Sequence, residues 1–572
     1  MQSLQHGSKK LFFIITLLLF SSLLFPPLAA QKGEKRIETI NIILPDKSSA
    51  VLQNIASIMK RVILQRSNIK FSSDKDASLN IELKIDYNHL SSEAYRIENK
   101  KTDVIRISGG DERGVLYGVG KFLRNSRFDQ DSFTPGLWQG TSSPECTVRA
   151  IYLATHFNNY YEAVAEEELI QYIQDIGLMG YNAIIIAYPA WQFNSMQDES
   201  SMAWLKRFKK ILSAAKQCGL KIGLTQCPNQ GYKSTPEALR SQPVPGNHRG
   251  NFGINLCTSK PQARDLMLNM FDKLFNQFKD IKLDFLTLWP YDEGGCGCDA
   301  CWPWGARGFL NISKEVSKLV RHKFPDCKII LSTWCFENEN DDNPDGEWAG
   351  LSKSLQKDNT WIDYIMADGH NNYFPKYILE HGVPGNLPLV NFPEISMFGM
   401  SPWGGYGANP APAHFQGLWN RIKHIDDGGS PYSEGIYEDI NKAIIAGFYW
   451  DKERKAIESV REYLSFHFSP LAADSLLEVV KIFEANHNRK NIHNSAIRAF
   501  KLVENAQGNL TEAVKKSWRW RIFYLRALID KELYQREGKL EGENLKAAFA
   551  ELMRLYHAQN AHSMPIKPPT IK

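Results

Sequence analysis

The stretch "KLDFLTLWPYDEGG", Lys282–Gly295, is a short apolar run that breaks at Trp289-Pro290 and releases two adjacent carboxylates, Asp292 and Glu293. A run of this length, rich in aromatic and apolar residues and closed by proline and a glycine pair, reads as a buried β-strand feeding a loop. Seven more runs of the same form lie around it: "RAIYLATH", "NAIIIAYP", "KIGLTQCP", "KIILSTWCF", "IDYIMADG", "LPLVNFPEI" and "SPYSEGIY". Helical patterns such as "AEEELIQYIQDIGLMG", "MAWLKRFKKILSAAKQCG" and "PQARDLMLNMFDKLFNQF" separate them, and two of these end in the glycine that a C-terminal cap requires. Eight strand-helix units over about 300 residues is the count of a (β/α)8 TIM barrel. A doubly wound open sheet is the competing arrangement, but it rarely runs to eight regular units. The barrel is expected over residues 147–450.

At 572 residues the chain is too long for one ordinary domain. Upstream of the barrel, "IETINIILP", "SLNIELKI", "EAYRIEN" and "DVIRISGG" read as strands, while "LQNIASIMKRVIL" and "DERGVLYGVGKFLR" have helical spacing. Together they form a small α/β unit over 35–135. Beyond Trp450 the patterns are helical only, giving a C-terminal helical region over 451–572. Its cluster "WRWRIFY" fits a helix–barrel interface better than a site.

At the N-terminus, Lys9-Lys10 precede "LFFIITLLLF", "SSLLF" and "PPLAA". A basic start, an apolar core and small residues at its end make a signal peptide over 1–30, cut near Ala30. The apolar run meets Pro26-Pro27 before the roughly 20 residues a spanning helix needs. Export to the periplasm or medium follows, with no stable membrane insertion after cleavage. The formal charge of +5 includes those two lysines, and there is no long basic run, so nothing favours a nucleic-acid partner. Oligomeric state is not legible.

A barrel of this kind works at the C-terminal ends of its strands. Those ends carry His156, Tyr188, Trp191, Asn229, Trp289, Asp292, Glu293, Trp334, Glu337, Asp368, His370, Glu394 and Glu434. Tryptophan faces stack on the C–H faces of sugar rings while carboxylates bond hydroxyls, so this mixture points to a glycan substrate. Glycoside hydrolysis usually needs two carboxyl groups flanking the scissile bond. Asp292 and Glu293 are adjacent, so their side chains point different ways and suit a different division of labour. Asp292 orients a 2-acetamido group whose oxygen is the nucleophile, and Glu293 protonates the leaving oxygen. The alternative is direct inversion, with Glu293 as acid and Asp368 or Glu394 activating water from across the barrel. Glu434 binds a sugar hydroxyl or caps the last turn. Arg149, Arg307 and Arg421 are available cations, although arginines at barrel loops more often make structural ion pairs.

"EAYRI" and "DVIRISGGDERGVLYGVGKFLR" resemble the α/β domain that precedes the barrel in family-20 β-hexosaminidases and family-67 α-glucuronidases. An Asp-Glu pair ending the fourth strand after such a domain resembles the arrangement of family 20. That resemblance implies the orienting role for Asp292, the acid/base role for Glu293, and sugar-pocket walls such as Trp334 and Trp403. The chain departs from family 20 in having "LWPYDEGG" before and around the pair. "GGSPYSEGIYEDINKAIIAGFYW" instead looks like the last barrel repeat of relatives near family-67 and family-163 enzymes. The resemblance as a whole is to the family-20/67/84/163-like group of glycoside hydrolases, as a distinct related family. It implies a β-N-acetylhexosaminidase-like activity, with an α-glucuronidase-like enzyme and an inactive carbohydrate-binding barrel as alternatives.

The nine cysteines are too few for a disulfide scaffold, and an odd number leaves one over. Cys296, Cys298 and Cys301 form C-x-C-x-x-C. Three thiolates and a fourth ligand make a structural zinc site; Cys335 at the end of the fifth strand is the first choice for the fourth, with Cys257 or a carboxylate as others. A disulfide within the loop or to Cys335 is the competing reading. No H-x-H or H-E-x-x-H pattern supports a catalytic metal, and the expected chemistry requires no cofactor.

Overall fold

The computed structural model describes residues 37–571 apart from 75–76, 157, 246–252, 293, 338–342, 369–373, 397–406, 489–491 and 558–570. The signal-peptide residues 1–30, Glu293, His370 and Trp403 lie outside the described residues.

The N-terminal unit is a six-stranded mixed sheet. Lys70–Phe71, Thr39–Ile43, Leu79–Ile85 and Val104–Gly109 run parallel in that spatial order, and Tyr95–Lys101 then pairs antiparallel with the last. Helices Ala50–Leu64 and Glu112–Asn125 begin at side-chain caps: Ser49 accepts from the Leu52 N–H and Asp111 from the Gly114 N–H. Such caps satisfy donors that the first turn leaves without partners.

The second unit is a closed barrel of eight parallel strands. In order they are Val148–Leu153, Ala183–Ala187, Lys221–Gln226, Phe285–Leu288, Lys328–Ser332, Tyr364–Asp368, Leu389–Phe392 and a split eighth, Asp426–Gly429 with Tyr432–Ser433. The second strand pairs with both the first and the third, and the eighth returns to the first, which closes the ring. Strands covered on both faces need no polar alternation, which is why "AIIIA" is uninterrupted. Gly180, the left-handed cap of helix Glu166–Met179 (φ 115°), ends it as its position suggests.

The eighth strand departs from the sequence expectation. It starts at Asp426, four residues before "SPYSEGIY", in the unpromising segment "DDGG". Gly428 has φ 103°, and a Cβ there would lie 1.9 Å from the Val148 carbonyl oxygen. Closing the barrel demands a residue without a side chain, so the strand forms against β propensity.

The helical region packs on the barrel through Trp518–Gln535. Trp520 is fully buried, and Arg519 bridges Asp439 at 2.7 Å and Asp175 at 3.2 Å, tying the last barrel helix to an early one. The accessory sheet is anchored by Arg149, which has no exposed surface. Its guanidinium donates to Glu93 at 2.6 Å, to the Gly180 carbonyl and to the Cys146 carbonyl. Arg149 is therefore an inter-unit ion pair and not a substrate cation.

Candidate active site

The C-terminal mouth of the barrel is floored by aromatic rings from strand ends. Trp289 and Trp334 are stacked, with centroids 5.4 Å apart and planes at 30°. Phe392 meets Trp289 edge-on at 4.8 Å, and Tyr432 and Tyr152 continue the surface at 5.9 and 5.8 Å from Phe392. The Tyr152 hydroxyl lies 3.1 Å from His156 Nδ1. Burial lowers the imidazole pKa to about 3, so His156 is neutral here and serves as a polar but uncharged wall. The sequence singled out Trp289, Trp334 and His156; it missed Tyr152, Phe392 and Tyr432, which sit inside strand patterns and look like ordinary core.

The acids arrive from several strands. Asp292 follows the fourth strand, half-buried, at φ 65°. A left-handed backbone is sparsely populated outside glycine, tolerated best by Asp and Asn, and clusters at functional sites. Asp368 ends the sixth strand, with its side chain outside the described residues. Glu394 and Glu434 follow the seventh strand and end the eighth, both nearly enclosed. The Ser396 N–H donates to Glu394 Oε1 at 3.0 Å. The hydroxyls of Tyr432 and Tyr437 donate to the two oxygens of Glu434 at 2.8 and 3.2 Å. Burial first, and then the negative charge of Glu394, pushes the Glu434 carboxyl up to about 8, against the pull of the two tyrosines. Glu434 is thus a neutral acid at pH 7. It is not the cap of the following turn; that is Glu438, whose carboxylate accepts from the Gly435 N–H and the Ser433 hydroxyl.

Three expected substrate ligands are committed elsewhere. Tyr188 packs against Trp204, and its hydroxyl meets those of Ser201 at 2.6 Å and Tyr232 at 3.2 Å. Asn229 is fully buried: its amide donates to the Leu256 and Gly295 carbonyls at 2.9 Å each and accepts from the Gly295 N–H. Glu337 accepts from the Glu347 and Trp348 N–H groups and so caps helix Glu347–Lys357, where the helix dipole favours a carboxylate. Trp191 lies in a short turn, Ala190–Gln192, beside His156, whose carbonyl accepts from Gln192 at 2.6 Å.

Behind the acid-bearing loop is a residue the sequence did not flag. Glu347, 1% exposed, accepts from the Tyr291 hydroxyl at 2.5 Å and from the Gly305 N–H at 2.6 Å. Trp304 adds a bond from its indole to the Pro290 carbonyl, and Cys227 one from its thiol to the Tyr291 carbonyl. Both ends of the Pro290–Tyr291 turn are therefore pinned immediately before Asp292.

The same loop continues into the cysteines. Cys257, Cys296, Cys298 and Cys301 bring four sulfurs within 4.8 Å of one another. Cys335, the first choice for a fourth partner, is not in this group; Cys257 takes that place because the chain after the third strand folds back over the fourth-strand loop. None of the nine cysteines is disulfide-bonded, which removes the loop disulfide as a description of this structure.

No family model matches the sequence, and no curated protein matches it. In three dimensions the chain is similar to a family GH115 4-O-methyl-α-glucuronidase with specificity for decorated arabinogalactans. The TM-score is 0.59 at 11% identity, over 92% of this chain and 77% of that one. A GH138 enzyme targeting pectin rhamnogalacturonan II superposes with a TM-score of 0.54 at 11% identity, over 91% and 74%. A GH20 β-N-acetylhexosaminidase from Streptomyces coelicolor gives 0.48 at 12% identity, over 79% and 92%. The fold is that of the glycoside-hydrolase (β/α)8 barrels among these structures, and at 11% identity the likeness to the first two is one of fold.

Proposed function

We propose that the protein is an exported glycoside hydrolase that cleaves a glycosidic bond in a glycan, with an N-acetylhexosamine at the cleaved position. The observation that carries this reading is the Trp289–Trp334 stack in the barrel mouth, 5.4 Å between rings, with Trp289 three residues ahead of Asp292. One strand thereby delivers both a sugar-binding face and the acids, on a loop pinned from behind by Glu347. Glu293 protonates the leaving oxygen. Asp292 accepts the acetamido N–H, and the acetamido oxygen attacks the anomeric carbon from the opposite face. Water deprotonated by Glu293 then opens the resulting ring, with net retention. Export rests on the basic and apolar start of the chain; among the described residues no helix is long and apolar enough to cross a membrane.

A second reading, an inverting enzyme on an acidic sugar, is favoured by the Glu394–Glu434 pair. In an eight-stranded ring the eighth strand stands opposite the fourth, so the strand that ends in Glu434 lies across the barrel from the one that leads to Asp292. Here Glu394 or Asp368 would activate water.

The test is a panel of aryl glycosides (N-acetylglucosaminide, N-acetylgalactosaminide, galactoside, glucuronide) assayed with wild type and Glu293→Gln. Activity confined to the acetamido sugars and lost in Glu293→Gln is the expected result. Turnover of plain hexosides as well would sink substrate assistance, glucuronide turnover with inversion would establish the second reading, and binding without turnover would leave a carbohydrate-binding barrel.

A further inference from the structure

The four cysteines come from two loops. Cys257 lies after the third strand, just before helix Pro261–Gln277; Cys296, Cys298 and Cys301 lie after the fourth. The Cys257 sulfur is 3.6 Å from Cys296, 3.7 Å from Cys298 and 4.0 Å from Cys301, and Cys296 is 3.7 Å from Cys298. A tetrahedral zinc ion with bonds of ~2.3 Å holds its sulfurs about 3.8 Å apart. A disulfide would need about 2.05 Å, and four sulfurs paired two by two would show two short and several long separations. Near-equal spacing around one centre is the pattern of a metal cage.

The surroundings agree with this. Cys257, Cys296 and Cys301 are buried, with Cys298 at the edge. Ser259 Oγ sits 3.0 Å from the Cys257 sulfur and 3.6 Å from Cys298, and Thr258 Oγ1 sits 3.2 Å from Cys301, so hydroxyl donors stand ready to bond thiolates. Gly297, between two of the cysteines, must be glycine: a Cβ there would lie 2.0 Å from the Pro243 carbonyl oxygen. That close cover lets the Gln242 carbonyl accept from the Gly297 N–H at 3.0 Å and seals the loop over the sulfurs.

We propose that Cys257, Cys296, Cys298 and Cys301 bind one zinc ion that clamps the third and fourth βα loops together beside the acid-bearing turn. Binding releases the thiol protons to solvent and leaves a tetrathiolate centre. Four thiolates select a soft ion over magnesium, calcium or manganese, and they fill a tetrahedral shell with no position for substrate. The ion is structural. Its clamp is shared with Asn229, which bonds the carbonyls of Leu256 and Gly295, each next to a ligand. The inference does not depend on the proposed glycosidase activity, because metal content is measured without substrate.

The experiment is elemental analysis of the full-length chain, purified without chelators from zinc-replete cells, together with a thiol count and intact mass after denaturation. One zinc per chain with all of the cluster thiols recovered is expected. Zinc below about 0.2 per chain would overturn the proposal, whether the mass shows disulfides (two mass units lost per bridge) or free thiols. Cys298→Ser, at the least buried ligand, is expected to lower zinc affinity at least tenfold, and Cys335→Ser to leave zinc content at one. The reverse pattern would also overturn the assignment. Should Cys298→Ser fail to fold, cobalt-grown wild type decides: strong thiolate-to-cobalt charge transfer and tetrahedral visible bands are expected, and a weak octahedral spectrum refutes the site.

Discussion

The Tyr291 hydroxyl donates to Glu347 Oε1 at 2.5 Å, so the residue before Asp292 is held from inside the protein and not from the substrate side. Glu347 is almost fully buried and also receives the Gly305 N–H, which makes it the hub of the turn. Replacing it with alanine strands two buried donors, each costing ~1–3 kcal/mol. Glu347→Ala is expected to lower the urea midpoint markedly and to reduce kcat at least tenfold. Tyr291→Phe, which removes one donor and leaves the carboxyl its Gly305 partner, should cost only ~1 kcal/mol. Equal losses in the two variants, measured by urea denaturation, would show that the hub is not Glu347.

The Trp289–Trp334 stack carries a second expectation. Both rings are 7% exposed, so truncation to alanine damages packing as well as any sugar contact. Trp334→Phe keeps an aromatic face and separates the two effects. The expected outcome is a fall in kcat/KM of at least tenfold for Trp334→Ala, mostly through KM, and of less than about threefold for Trp334→Phe. Thermal melts of both variants check that the loss is not unfolding; a Trp334→Phe as impaired as Trp334→Ala would mean that the ring face does not bind sugar.

The bond from Arg149 to Glu93 joins the barrel to the accessory unit. Arg149 has no exposed surface, and Arg113 approaches Glu93 from the other side at 3.1 Å. Breaking a buried pair by removing one partner typically costs ~3–5 kcal/mol, because the other charge stays buried. Glu93→Ala is expected to show a loss of that size, while the double replacement Arg149→Met with Glu93→Met should recover much of it. A Glu93→Ala loss under ~1 kcal/mol would show that the pair is not the anchor.

The sequence displayed most of the fold because a strand buried on both faces writes itself as an uninterrupted apolar run, as Ile184–Ile186 does. The eighth strand stayed hidden, since Gly428 is chosen for its lack of a side chain against Val148 and not for β propensity. Position was legible where the residue just after a strand reaches the barrel mouth, as Trp289 does. Site residues were misread where position gave no side-chain direction: Asn229 turns into the protein, and Glu337 finds a helix N-terminus ten residues away. Cys257 is 39 residues from Cys296, a loop closure that spacing within one motif does not reveal.

Glu434 gives the sharpest pH expectation. Its carboxyl is raised from the ordinary 4.5 to about 8 by burial and the Glu394 charge. In the unfolded chain it ionises near 4.5, so from there to about 8 the native state holds a proton that the unfolded state has released. Folding stability contributed by this group is therefore greatest at low pH and declines as pH rises through that window, by up to ~1.4 kcal/mol per unit. Gln mimics the neutral acid without titrating. The stability of Glu434→Gln relative to wild type should rise as pH goes from 5 to 8. Urea titrations at pH 5, 6, 7 and 8 check this. Parallel stability curves for the two proteins would mean that Glu434 is ionised in the folded state and that the tyrosines, not burial, set its charge.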